Sequence, residues 1–133
     1  MLRILDVGSG PVPKLISNYA EIEVVSCDIR EFEGVDKQDM EKLTYPTNSF
    51  DVVICINALD HTKDAESALD ELKRVCGGVL YINCAIDQKT RHRKKHYWDA
   101  KPDGTLTNGT DTVEPWNCNI DFKDGRMIAR WYP

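Results

Sequence analysis

The chain has 133 residues, 41% hydrophobic, with 17 Lys and Arg against 22 Asp and Glu and a net charge of −5; this is the size of one domain with one core, spanning 1–133. No run approaches the roughly 20 apolar residues that cross a bilayer, and MLRILD meets an acid too early for a signal peptide, so no membrane association and a soluble, cytoplasmic protein are expected. Five of the cations fall in residues 88–96 (QKTRHRKKH), which leaves 12 against 22 acids elsewhere, a surface that repels nucleic acid except along that one stretch.

In chain order, residues 2–6 and 24–28 are short apolar runs that each end in an acid, and 51–56 and 79–86 are longer, nearly continuous runs rich in Val and Ile. Such runs, without polar alternation, fit parallel strands covered on both faces. Pro13 suits a first helical turn, which predicts a helix continuing through 14–19. Residues 30–43 are polar, with room for one helical turn and a brief strand around 35–38. The clearest helix starts at Asp64 as N-cap, carries Ala65, Ala68, Leu69, Leu72, Val75 and Cys76 at helical spacing, and is expected to close at Gly77-Gly78. Strands alternating with helices predict a Rossmann-like α/β fold, an open and mostly parallel sheet with helices on both faces. Beyond Tyr97, Asp103-Gly104, Asn108-Gly109 and Asp124-Gly125 signal turns, and residues 119–123 and 126–131 are predicted to form an antiparallel hairpin at the sheet edge.

The five cysteines are odd in number, lack C-x-x-C spacing, and lie mostly in apolar runs (Cys27, Cys55, Cys84). They read as reduced, buried thiols rather than disulfides or zinc ligands. His92 and His96 stand four apart, but the flanking Arg and Lys repel a divalent cation, so no metal is expected.

The stretch ILDVGSGPVP breaks the first strand with two glycines and two prolines. Ligands of open α/β sheets bind beyond the carboxyl ends of the strands, where Gly8 and Gly10 let backbone turn sharply and approach them closely. Asp28 ends the next strand about 20 residues on, where a carboxylate can accept from both ribose hydroxyls. Together these indicate an adenosine-containing cofactor. The third glycine of a dinucleotide fingerprint would fall at Pro13, which argues against a nicotinamide-dependent oxidoreductase.

The succession ILDVGSGP, VVSCDI and QDMEKLTYPTNSFDVVICINALDHTKDAESALDELKRVCGGVLYI resembles class I S-adenosylmethionine-dependent methyltransferases, in particular the methyltransferase 11-like group, over residues 2–86. The resemblance implies that Asp6, Gly8, Ser9 and Gly10 cradle the methionine and ribose portion of S-adenosylmethionine. It implies that Asp28 and Ile29 take the ribose and one adenine face, and that Asp39 and Met40 meet the adenine edge. Asn57 and Ala58 would lie beneath the cofactor, and Leu59, Asp60 and His61 stand where the family has a "VLEH" segment. Asp6, Asp28, Asp39 and Asp60 around the rim would favour a cationic sulfonium. His61 is the candidate general base. Asp39 serves equally as a helix cap, Met40 as core, and His61 as a cap or core histidine.

Three features depart from that pattern. Val12, between two prolines, stands where many relatives have a third loop glycine. The lid helices before the first strand are absent, which leaves room for a homo- or hetero-oligomeric partner to cover the open site. From Gln88 onward no family pattern is present; the basic stretch followed by Tyr97 and Trp98 could contact phosphate and a base, or form a solvated helix face with two aromatics in the core. Trp116, Trp131 and Tyr132 read as packing residues. The expected function is methyl transfer to a small molecule rather than nucleic acid, and the alternative is a non-catalytic cofactor-binding or scaffold subunit that needs a partner.

Overall fold

Branched apolar residues in unbroken runs make strands, and four of these runs assemble the centre of a seven-stranded sheet. The computed structural model describes residues 1–12, 15–86, 98–108, 110–114 and 118–133. Strands β1 (Leu2–Val7), β2 (Ile22–Asp28), β3 (Asp36–Lys37), β4 (Phe50–Ile56) and β5 (Cys76–Ala85) run parallel. Three two-residue strands, β6 (Asp99–Ala100), β7 (Leu106–Thr107) and β8 (Thr112–Val113), form a small separate antiparallel sheet. The chain closes with β9 (Asn119–Lys123) and β10 (Arg126–Trp131), the predicted hairpin, which joins the main sheet antiparallel along β5.

Strand order is β3-β2-β1-β4-β5-β10-β9. The chain winds one way from β1 through β3 and then returns to the other side of β1 with β4 and β5. The reversal between β1 and β4 creates a crevice beyond their carboxyl ends, the position where such sheets bind ligands.

Side chains alternate across each strand, so Leu5, Val53 and Leu80 share one face with Val7, Cys55, Ile82 and Met127. That face is fully buried, and helix α1 (Ala65–Val75) packs on its β4 and β5 strands, with Ala65, Ala68, Leu69, Leu72 and Val75 all interior. Asp64 caps the helix as expected, its carboxylate accepting from Ser67 N–H at 3.1 Å and Ser67 Oγ at 2.7 Å, an arrangement worth about 1 kcal/mol. The opposite face, with Ile4, Val52, Ile54, Val79 and Tyr81, is only half-buried, and no helix among the described residues packs on it.

Two expectations are corrected. Residues 15–19 carry no helix; Ile16 and Tyr19 remain 74% and 71% exposed, so no buried face holds a turn together there. Gly77 and Gly78 belong to β5 rather than to a C-cap, because the chain turns extended at Cys76 (φ −88°, ψ 119°) and passes directly into the strand. A β-carbon on Gly78 would collide with the Asp51 carbonyl across β4, so the glycine is required by close strand approach. Helices on both faces are thus met on one face among the described residues. Pro13, Lys14, the basic stretch 88–96 with His92 and His96, Tyr97, Gly109 and Trp116 lie outside the described residues.

Cys27, Cys55, Cys76 and Cys84 are buried free thiols, and Cys118 is half-buried. Trp98 is buried and donates from its indole to the Lys63 carbonyl at 3.2 Å, which pins the segment entering β6 against the loop after β4. Trp131 is half-buried beneath the Lys73 ammonium, whereas Tyr132 is exposed. Among the described residues no helix is long and apolar enough to cross a membrane.

Candidate functional site

The crevice at the β1/β4 reversal opens into a cavity of about 660 Å³. Its first wall is the loop after β1. Gly8 N–H and Ser9 N–H both donate to the Cys27 carbonyl, at 2.8 and 3.1 Å, which folds the loop back onto β2. Gly8 and Gly10 hold φ of 73° and 77°, a left-handed backbone that L-residues adopt at a cost. Gly8 also sits so close to Ala58 that a β-carbon there would overlap the alanine methyl; at Gly10 a β-carbon would meet nothing, because it faces open space.

The second wall is the end of β2. Asp28 is 5% exposed yet heavily bonded. Its Oδ2 accepts from Gly10 N–H at 3.0 Å and Arg30 Nη2 at 3.4 Å, and its Oδ1 from Arg30 N–H at 3.0 Å and Arg30 Nε at 3.1 Å. Burial pushes its carboxyl up, but the Arg30 guanidinium and the two backbone N–H groups outweigh that and hold it below the ordinary carboxylate range. Ile29 beside it is 63% exposed and lines the cavity.

The third wall is a tight turn beyond β3. Gln38 N–H donates to the Asp28 carbonyl at 2.8 Å, and Asp39 Oδ1 accepts from Glu41 N–H at 2.9 Å. The Asp39 carboxylate therefore caps a turn rather than a helix, an Asx-turn, while Met40 lies against the core with its edge in the cavity. Glu41 reaches across to the fourth wall, accepting from Thr62 Oγ1 at 2.6 Å and Lys63 N–H at 3.1 Å.

That fourth wall follows β4. Asn57 takes φ 54°, its N–H donates to the Asn83 carbonyl at 2.8 Å, and its amide oxygen accepts from Arg126 of β10, which also donates to the Asn83 side chain. Ala58 is buried behind Gly8, and a short helical turn, Leu59–His61, places His61 exposed at the cavity edge.

Of the residues expected to form the site, Gly8, Asp28, Ile29, Asp39, Met40, Asn57, Ala58 and His61 line one cavity. Asp6, Ser9 and Gly10 lie outside its lining. Asp6 is half-buried within β1, where burial pushes its carboxyl up, and Ser9 Oγ turns to the Gly10 carbonyl at 3.2 Å. Asp60 is 2% exposed and does not line the cavity, so the rim carboxylates are Asp28, Asp39 and Glu41, opposed by Arg30 and Lys63. Sequence reasoning missed Arg30, Glu41, Thr62 and Lys63. Arg30 alone was visible locally, two residues beyond Asp28; the Glu41 bridge joins residues more than 20 apart.

A methyltransferase domain model matches residues 5–82, more than half of the chain. No curated protein matches it. PH0226 from Pyrococcus horikoshii OT3 is 17% identical and superposes over 98% of this chain and 81% of its own, with a TM-score of 0.65. A SAM-dependent methyltransferase from Aquifex aeolicus is 15% identical over 97% of this chain and 81% of its own, with a TM-score of 0.56. SpnF, a [4+2]-cyclase, is 24% identical over 64% of this chain with a TM-score of 0.56, and the chain spans only 39% of its length. These likenesses show the fold; the family model goes further, and the chain belongs to the class I S-adenosylmethionine-dependent methyltransferase domain family.

Proposed function

We propose that the chain transfers a methyl group from S-adenosylmethionine to a small-molecule acceptor, using the cavity at the carboxyl ends of β1, β2 and β4. The observation that carries this reading is convergence: Gly8, Asp28, Met40, Asn57 and His61, drawn from four separate segments, line one space. The cavity suits a cofactor of that size, since small-ligand sites occupy about 300–1,000 Å³. Gly10 N–H holds the Asp28 carboxylate at the cavity wall, and that carboxylate is the acceptor an adenosine needs.

Bound S-adenosylmethionine supplies an activated methyl on a cationic sulfonium, so the protein's work is alignment and exclusion of water. Asp28, held by Gly10 N–H, would accept from the ribose hydroxyls. Met40 would pack its thioether on the adenine ring, with Asp39 to hold the ring's edge. Asn57, fixed by Asn83 and Arg126, would support the reacting centre. His61, at the cavity edge, takes a proton where the acceptor must lose one. Only one short stretch of the chain is basic, which supports a small acceptor over nucleic acid.

The test is transfer of labelled methyl to a panel of small acceptors, with and without candidate partner chains. Turnover that falls in Asp28→Ala supports the proposal. Binding of S-adenosylhomocysteine with no turnover on any acceptor contradicts it and favours a cofactor-binding subunit.

A further inference from the structure

We infer that Arg30 is a displaceable occupant of the ribose site, so that its guanidinium and the cofactor's diol compete for Asp28 and together set affinity and ribose selectivity. The inference rests on the reading of Asp28 as the ribose carboxylate. It begins from a count. A carboxylate offers about four lone-pair positions, and Asp28 has four donors on it: Gly10 N–H at 3.0 Å, Arg30 N–H at 3.0 Å, Arg30 Nε at 3.1 Å and Arg30 Nη2 at 3.4 Å. Nothing is left for two hydroxyls.

The four donors fall into two kinds. The backbone pair from Gly10 and Arg30 is built into the chain and keeps the carboxylate aimed while leaving two positions. The guanidinium pair comes from a side chain that is 65% exposed, next to a carboxylate that is 5% exposed. An ion pair with one partner in water is weak, and the guanidinium that holds Asp28 lies at the same time over the Phe32 ring at 5.0 Å, a cation–π contact that does not depend on the carboxylate. Asp28 and Arg30 both line the cavity, so the exchange takes place at the ligand rather than behind it. Before the ligand arrives, the guanidinium satisfies a buried anion; when a diol enters, it replaces Nε and Nη2 one for one. A ligand without the diol has nothing to offer in exchange, and selectivity follows.

The experiment is calorimetric titration of the intact chain with S-adenosylhomocysteine, adenosine and 2′,3′-dideoxyadenosine, at low and high salt, in wild type, Arg30→Gln, Arg30→Lys and Asp28→Ala. Arg30→Gln is expected to tighten S-adenosylhomocysteine and adenosine by about fivefold, near the most an exposed ion pair is worth, and to leave the dideoxy compound unchanged. Arg30→Lys, a point charge that cannot fill both positions, falls between. Added salt narrows the gap between wild type and Arg30→Gln, because it weakens the competing pair. Binding that weakens or stays the same in Arg30→Gln, while Asp28→Ala still loses affinity, overturns the competition and leaves Asp28 as the ribose group. Binding that is indifferent to Asp28→Ala, alone and combined with Arg30→Gln, overturns both.

Discussion

Gly8→Ala tests how the cleft is closed. Two costs add at this position. Holding an L-residue at φ 73° costs roughly 1–2 kcal/mol, and the new methyl falls within 3.0 Å of the Ala58 β-carbon, an overlap worth about 1–3 kcal/mol by comparison with overpacked cores. The expected loss is therefore about 2–5 kcal/mol, a large share of the ~5–15 kcal/mol that holds a domain together. Gly10→Ala isolates the first cost, since φ is 77° there but a β-carbon meets nothing. Ala58→Gly isolates the second: with the opposing methyl gone, the nearest atom to the new Gly8 side chain is the residue 58 α-carbon at 3.7 Å, an ordinary contact. Urea unfolding of wild type, Gly8→Ala, Gly10→Ala, Ala58→Gly and the Gly8→Ala/Ala58→Gly pair should give a coupling of about 1–3 kcal/mol in the double-mutant cycle. Equal losses in Gly8→Ala and Gly10→Ala, or simple additivity in the pair, would refute the close approach of the β1 loop to the end of β4.

Three further outcomes are expected. Gly78→Ala should destabilise by about 1–3 kcal/mol or more, read in the same unfolding assay, because the added β-carbon meets the Asp51 carbonyl of a neighbouring strand that cannot swing aside; a neutral substitution would mean that β4 and β5 are further apart. Asp28 has its carboxyl lowered in the folded chain, so its contribution is fully present above the unfolded value near 3.9 and is lost as pH falls below it. The stability gap between wild type and Asp28→Asn should accordingly shrink on acidification from about pH 5 to pH 2, and a gap that widens would contradict the sign. Burial pushes the Cys27 and Cys84 thiols up to about 12, so at pH 8 a disulfide reagent should label the native chain slowly at Cys27, Cys55, Cys76 and Cys84, and all five cysteines rapidly in denaturant. Fast labelling of Cys27 in the native chain would show that the floor of the cleft is open.

What was readable from sequence, and what was not, divides by range. The strands were readable because unbroken branched runs such as DVVICI favour extended chain, and the closing hairpin because Asp124-Gly125 sits between two strand-like runs. The ends of α1 and β5 were misplaced at one point only. Gly77-Gly78 looks like a helix stop, whereas Gly78 answers to the carbonyl of Asp51, a neighbour in the sheet that no local pattern reveals. The helix expected after Pro13 fails for a related reason: a stretch this short does not hold a helix in water without a buried face, and Ile16 and Tyr19 find none. Asp28 was found by its place at a strand end, whereas Asp39 and Asn57 were reached only through the resemblance to a methyltransferase family. The clamp of Arg126 and Asn83 on Asn57, and the bridge from Glu41 to Thr62 and Lys63, join distant segments and became visible only with the fold.

The most direct measurement is the affinity of the intact chain for S-adenosylhomocysteine in wild type against Asp28→Ala. Loss of two charge-assisted hydrogen bonds, offset by release of Arg30, predicts binding at least tenfold weaker in the variant, with its melting temperature still rising at saturating ligand. Equal affinity in the two proteins would mean that the end of β2 does not hold the ribose and that the cleft is not the cofactor site.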